Sequence, residues 1–228
     1  MALRTGNPTL RESTFASYQM SVVSDSDRMT INGTVHRTFF LLCLVVGAAA
    51  VTWGLVFTNP ALCLGLMGLG LIGGLITCLI TCFKKEWSPV TAPIYAVLEG
   101  LTLGGISALY EQSAGDGIVA LAVGLTFGVL FMLLALYRSG VVKATENLKL
   151  GLLSAMGGIL LVSLGSIVMS FMGAPLPAIY DSGPIGIGFS LFVVVIAALN
   201  LVLDFDFIEK GVEYGAPKYM EWYAAFGL

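Results

Sequence analysis

The chain has 228 residues, 57% of them hydrophobic and only 11% charged, with a mean hydropathy of +0.92. That composition is too apolar for a water-soluble globular domain and describes an integral membrane protein. The 11 Lys and Arg against 14 Asp and Glu give a net charge of -3, so there is no basic field to neutralise a nucleic-acid backbone, and nucleic-acid binding is excluded as a main activity.

Residues 1–35 are polar, rich in Ser, Thr and Asn, and lack any apolar run, so they predict neither a signal peptide nor a span. They are expected to form a loosely ordered N-terminal tail ahead of a transmembrane bundle at 36–228. Phe15, Tyr18, Met20 and Met29 leave open a small folded cap, because a purely solvating tail does not need them. Asn32-Gly33-Thr34 matches a glycosylation sequon, silent on the cytoplasmic side. His36 is the only histidine and stands beside Arg37, which excludes a multi-histidine metal site and suits interfacial anchoring.

A hydrocarbon layer of about 30 Å takes about 20 mostly apolar residues to cross. Runs at 38–57, 61–83, 90–111, 116–136, 150–172 and 184–207 qualify, and a seventh opens near Tyr219. From Tyr219 to Leu228 the chain rises only about 15 Å, half a bilayer, so the natural protein is expected to continue past Leu228. The predicted fold class is all-α: a polytopic membrane helix bundle of six complete spans plus the start of a seventh. Its contacts are expected from small residues, which let backbones approach in lipid. These are Gly65, Gly68, Gly70, Gly73 and Gly74 in the second helix, Gly100, Gly104 and Gly105 in the third, and Gly151, Gly157, Gly158 and Gly165 in the fifth. Cys43, Cys63, Cys78 and Cys82 fall in apolar runs as small hydrophobes. Cys78 and Cys82 share a helix face, but no third soft ligand is near in sequence, which favours packing over a metal.

All 11 basic residues fall on one side of this span pattern: Arg4, Arg11, Arg28 and Arg37; Lys84 and Lys85; Arg138, Lys143 and Lys149; Lys210 and Lys218. The opposite loops, near 58–60, 112–115 and 173–183, carry none. By the positive-inside rule the N-terminus and the exits of the even-numbered helices are cytoplasmic.

Charges inside a span are costly, so each is a functional candidate. Glu99 lies about ten residues into the third helix and needs protonation, a polar partner or water; a plain hydrogen bond to a neighbouring helix is the alternative. Asp204 and Asp206 close the sixth helix, and at about 100° per residue their carboxylates diverge by about 200°. Asp206 stands four residues before Lys210, the order of a helical ion pair. Asp204 shares its face with Asn200, and a carboxylate above an amide oxygen suits a hard cation or a proton relay. No Ser, His and Asp set or metalloprotease His pair occurs, so an enzyme is not expected.

Pro93, Tyr95, Ala96, Glu99, Gly100, Leu103 and Gly104 in the third helix, with Asp204 to Ile208 in the sixth, resemble the Bax inhibitor-1 family of seven-helix membrane proteins. The leader, with Asn7-Pro8 and Met29 to Val35, resembles a bacterial subgroup with a longer N-terminus. The resemblance implies a pH-sensitive calcium leak, cytoprotection and, in bacteria, modulation of membrane proteolysis, in the inner membrane. It places Asp204 on the family's acidic position and Asp206 where an amide-type residue is usual. The family's second Asp lies in the middle of the seventh helix; Glu221 does not match it. Two functions follow as expectations. One is a cation pathway, with calcium as the transported ion, no cofactor, and Asp204, Asn200 and Glu99 as its charged and polar elements. The other is a regulatory membrane protein that binds a membrane protease or another membrane protein through its tail.

Overall fold

The structure is a computed structural model that describes residues 27–139, 141, 144–172 and 183–228. Seven α-helices follow one another among them: α1 (Ile31–Thr58), α2 (Pro60–Phe83), α3 (Ser88–Ala114), α4 (Ile118–Arg138), α5 (Glu146–Phe171), α6 (Pro184–Glu213) and α7 (Met220–Gly227), with a one-turn 3₁₀ helix at Lys85–Trp87. No strand occurs among the described residues, only one isolated antiparallel bridge between Arg28 and Pro217. Six of the helices are long and apolar enough to cross a membrane. The protein is therefore an all-α, multi-pass membrane bundle.

Local chemistry sets the helix starts. Asn59 accepts a hydrogen bond from Leu62 N at 3.2 Å with Pro60 in the first turn, and Thr145 accepts from Leu148 N at 3.3 Å. α4 lacks a side-chain cap of its own. Glu111, near the end of α3, supplies it by accepting from Gly117 N and, at 3.0 Å, from Val119 N, so a carboxylate sits at the positive end of the helix dipole.

The two largest differences from the sequence reading are at the start of α1 and the end of α6. α1 begins at Ile31, well before residue 38, because Thr30 accepts from Gly33 N at 3.0 Å and the mixed-polarity turn that follows packs against α7. Of the expected loose tail, residues 1–26 lie outside the described residues, while 27–35 are built into the bundle. α6 continues past 207 to Glu213, since Phe207, Ile208 and Gly211 keep a buried face there.

α1 and α2 both pack along α3, and α7 lies against α1 and α3. The approach is close where glycines permit it. A Cβ on Gly104 would fall on the Ala49 carbonyl and the Thr52 hydroxyl, and one on Gly100 would come within 2.8 Å of Ala48 Cβ. Between α2 and α3, Thr81 Oγ1 donates to Thr91 Oγ1 at 2.7 Å and Thr102 Oγ1 to Met67 O at 3.5 Å, hydrogen bonds of the kind that join helices in lipid. At Gly65 and Gly68 of α2, and at all four α5 glycines named above, an added Cβ would meet nothing within 4 Å. The packing role expected of them is absent; among the described residues α5 meets the bundle chiefly through α6. α4 packs chiefly on α3 and α6, and its spanning window has no buried residue.

Four junctions meet at one end. Ser88 Oγ donates to Tyr219 O at 3.0 Å, Tyr137 Oη to Glu209 Oε2 at 2.5 Å, Lys149 pairs with Asp206 at 3.3 Å, and Arg28 bridges Pro217. That end carries Arg28, Arg37, Lys84, Lys85, Lys149, Lys210 and Lys218, as the charge pattern predicts; Arg4, Arg11, Lys143 and the loop with Asp181 lie outside the described residues.

The glycine contacts give a direct check. Gly104→Ala is expected to lower the stability of the detergent-solubilised protein by about 1–3 kcal/mol, whereas Gly158→Ala stays within about 0.5 kcal/mol of wild type. Thermal unfolding of the two variants side by side measures both.

Candidate functional site

The cluster of interest is built on the last turns of α6, where successive residues serve different neighbours. Asp204 faces the bundle and is 8% exposed, flanked by buried Val202, Leu203, Phe207 and Ile208. Phe205 turns to α4, where its ring lies 5.8 Å from that of Tyr137. Asp206 faces α5: its Oδ2 is 3.3 Å from Lys149 Nζ and 3.0 Å from Lys210 Nζ. Glu209 accepts the Tyr137 hydroxyl bond. The divergence expected of Asp204 and Asp206 is present, and so is the Asp206–Lys210 pair. Asn200 is half-buried on the Asp204 side of the helix, and its Nδ2 donates to Ile196 O at 2.9 Å, one turn away from Asp204.

Glu99 belongs to another interface. Its Oε2 lies 3.6 Å from where a Cβ on Gly74 of α2 would stand, ordinary contact distance, which puts the carboxylate against α2. Tyr95 stands one turn back on the same face of α3. Tyr95 in turn stacks edge-on against Phe226 of α7, with ring centroids 4.9 Å apart.

A third acid was missed. Glu221, in the first turn of α7, is 1% exposed. Its Oε1 accepts from Thr30 N at 2.9 Å and Thr30 Oγ1 at 3.0 Å, and its Oε2 pairs with Arg37 Nη1. Arg37 also lies over the Trp222 ring, 5.1 Å from its centroid. Reading Arg37 as a juxtamembrane charge hid this: once α1 is extended back to Thr30, the arginine falls in its second turn, opposite α7. A lone acid in the apolar run Tyr219 to Leu228 was the available signal.

A family model described as Bax inhibitor 1 like matches residues 7–228. The chain belongs to the Bax inhibitor-1 family. No curated protein and no solved structure matches it. Asp204, which the sequence reading put on the family's acidic position, is the more buried of the two acids. Among the described residues no group of three or more His, Cys, Asp or Glu could hold a metal ion. Cys78 and Cys82 are half-buried neighbours on α2, and His36 is exposed at the start of α1.

Lys149 changes the weight of Asp206 in this family member. An exposed helical pair with Lys210 alone contributes a few tenths of a kcal/mol. Lys149 has only 4% of its side chain exposed, and its other carboxylate, Glu146 at 3.4 Å, is 63% exposed. Removing the charge of Asp206 strands a buried cation. Asp206→Asn is expected to destabilise the protein by about 3 kcal/mol and Lys210→Ala by less than about 0.5 kcal/mol. Adding Lys149→Met to Asp206→Asn should restore most of the loss, as a double-mutant cycle in thermal unfolding reads.

Proposed function

We propose that this Bax inhibitor-1 family member is a pH-sensitive cation leak pathway, with calcium as the transported ion and the charge of Asp204 as its control. The observation that carries the proposal is the burial of Asp204, 8% exposed in the last turns of α6, at the end of the bundle where the basic residues gather. A carboxylate in such a place is poised between charged and neutral forms, because burial disfavours the charge and any polar partner favours it. When charged, it holds the basic end closed by its interactions there; protonation releases them, a bistable element biased by one proton. Glu99 adds an acid deeper in the bundle, at the α2–α3 interface, and Asn200 lines the approach to Asp204.

In this proposal the basic end faces the cytoplasm of a bacterial inner membrane, following the positive-inside rule. With native cysteines replaced, a cysteine at Asp116 is expected to label from outside intact cells and one at Glu86 only after permeabilisation. The reverse pattern inverts the topology.

Calcium flux into liposomes holding the full-length protein, at pH 8 and pH 6, tests the mechanism. Asparagine mimics the protonated acid, so Asp204→Asn is expected to conduct at both pH values at about the rate wild type reaches at the lower one. Asp206→Asn, stabilised by Lys149→Met, should keep the wild-type pH response. If folded Asp204→Asn retains wild-type flux and pH dependence, the pathway reading fails, and a regulatory protein that binds a membrane protease or another membrane protein takes its place.

A further inference from the structure

The four residues before α1 do not lead away from the bundle. Asp27 to Thr30 run antiparallel to the α6–α7 turn, where Met29 N donates to Ala216 O at 2.6 Å and Lys218 N donates to Asp27 O at 2.8 Å. The Met29 side chain, 2% exposed, is packed into one cluster with Phe207 and Ile208 of α6, Ala216 of the turn, and Met220, Tyr223 and Ala224 of α7. The next residue, Thr30, donates twice to Glu221, and Glu221 pairs with Arg37. Gly33 completes the fit, since a Cβ there would overlap the Glu221 carboxylate.

This attachment reaches the proposed control group. Phe207 and Ile208 stand three and four residues after Asp204, one turn along the same face of α6. Met29 therefore closes the core layer adjacent to Asp204, from outside the spanning part of every helix. Its hold includes two backbone hydrogen bonds, the inserted Met29 side chain and the latch between Thr30 and Glu221.

We propose that residues 27–30 are a releasable strap that sets the exposure of Asp204. Docked, the strap seals the layer of Phe207 and Ile208 and keeps the carboxylate buried. Undocked, Met29 leaves a void between α6 and α7, the last turns of α6 loosen, and water reaches Asp204. Thr30, Arg37 and Glu221 are positioning residues in this device: they fix α7 and the strap to each other and touch no ion. The effect on flux rests on the pathway proposed above; the effect on exposure does not.

Hydrogen exchange by mass spectrometry on the full chain in lipid nanodiscs separates the two. Met29→Ser removes the inserted side chain, and Glu221→Gln removes the charge of the latch while keeping an acceptor for Thr30. In both variants the amides of 28–33 and of 204–224 are expected to exchange at least about tenfold faster than in wild type, with those of 60–80, which do not meet α7, unchanged. The flux at pH 8 should rise toward the Asp204→Asn rate. Faster exchange at 28–33 with 204–211 as slow as in wild type overturns the strap, as does no change anywhere. Equal acceleration across 60–80 in both variants also overturns it, because the contact would then be a general support of the fold. Exchange as expected with unaltered flux leaves the strap standing and counts against the pathway.

Discussion

Carboxylates taken out of water must be neutralised where they stand, and the basic end of this bundle is organised by three solutions to that one problem. Asp206 is shared by two lysines, one of them buried itself. Glu221 is enclosed by an arginine and by the backbone and hydroxyl of Thr30. Asp204 is buried in the last turns of α6 and makes its own contacts there. The first two join elements: α5 to α6, and the start of α1 to α7. Breaking either leaves a charge behind, so the pairs act as obligate fasteners more than as sources of net stability.

The apolar part of the bundle is held differently. Glycines on α3 let α1 and α2 approach to backbone contact, and threonine hydroxyls bridge α2 and α3, because lipid offers no hydrophobic gain for bringing apolar helices together. α4 and α5 lack such contacts and are tied chiefly through the end of α6, by Tyr137 with Glu209 and Phe205 and by Lys149 with Asp206. The last turns of α6 are thus the place where a well-packed group of helices meets a loosely attached pair. A change there bears on both groups, which suits a controlling position.

α7 stands between the two remaining acids. Its Tyr223 belongs to the cluster that includes Phe207 and Ile208 next to Asp204, and Lys85 lies over the same ring at 5.5 Å. Its Phe226 meets Tyr95, which stands one turn from Glu99 on α3. The strap, through Met29 and Thr30, and α1, through Arg37, set where this short helix sits.

The amino-acid sequence by itself determined the membrane class, the six spanning helices, the one-sided basic charge, and the opposed directions of Asp204 and Asp206. Each of these follows from length, hydropathy or a fixed angle per residue, which act locally along the chain. Only the tertiary structure decided that Lys149 reaches Asp206, that Glu221 meets Thr30 and Arg37 across 191 residues of sequence, and that Met29 is core and not tail. It also decided which glycines are contacts: Gly100 and Gly104 are, while Gly157 and Gly158 of the same residue type face open space. The reason is physical. A partner on another helix is chosen by how the helices cross, and neither periodicity nor composition within one segment carries that crossing.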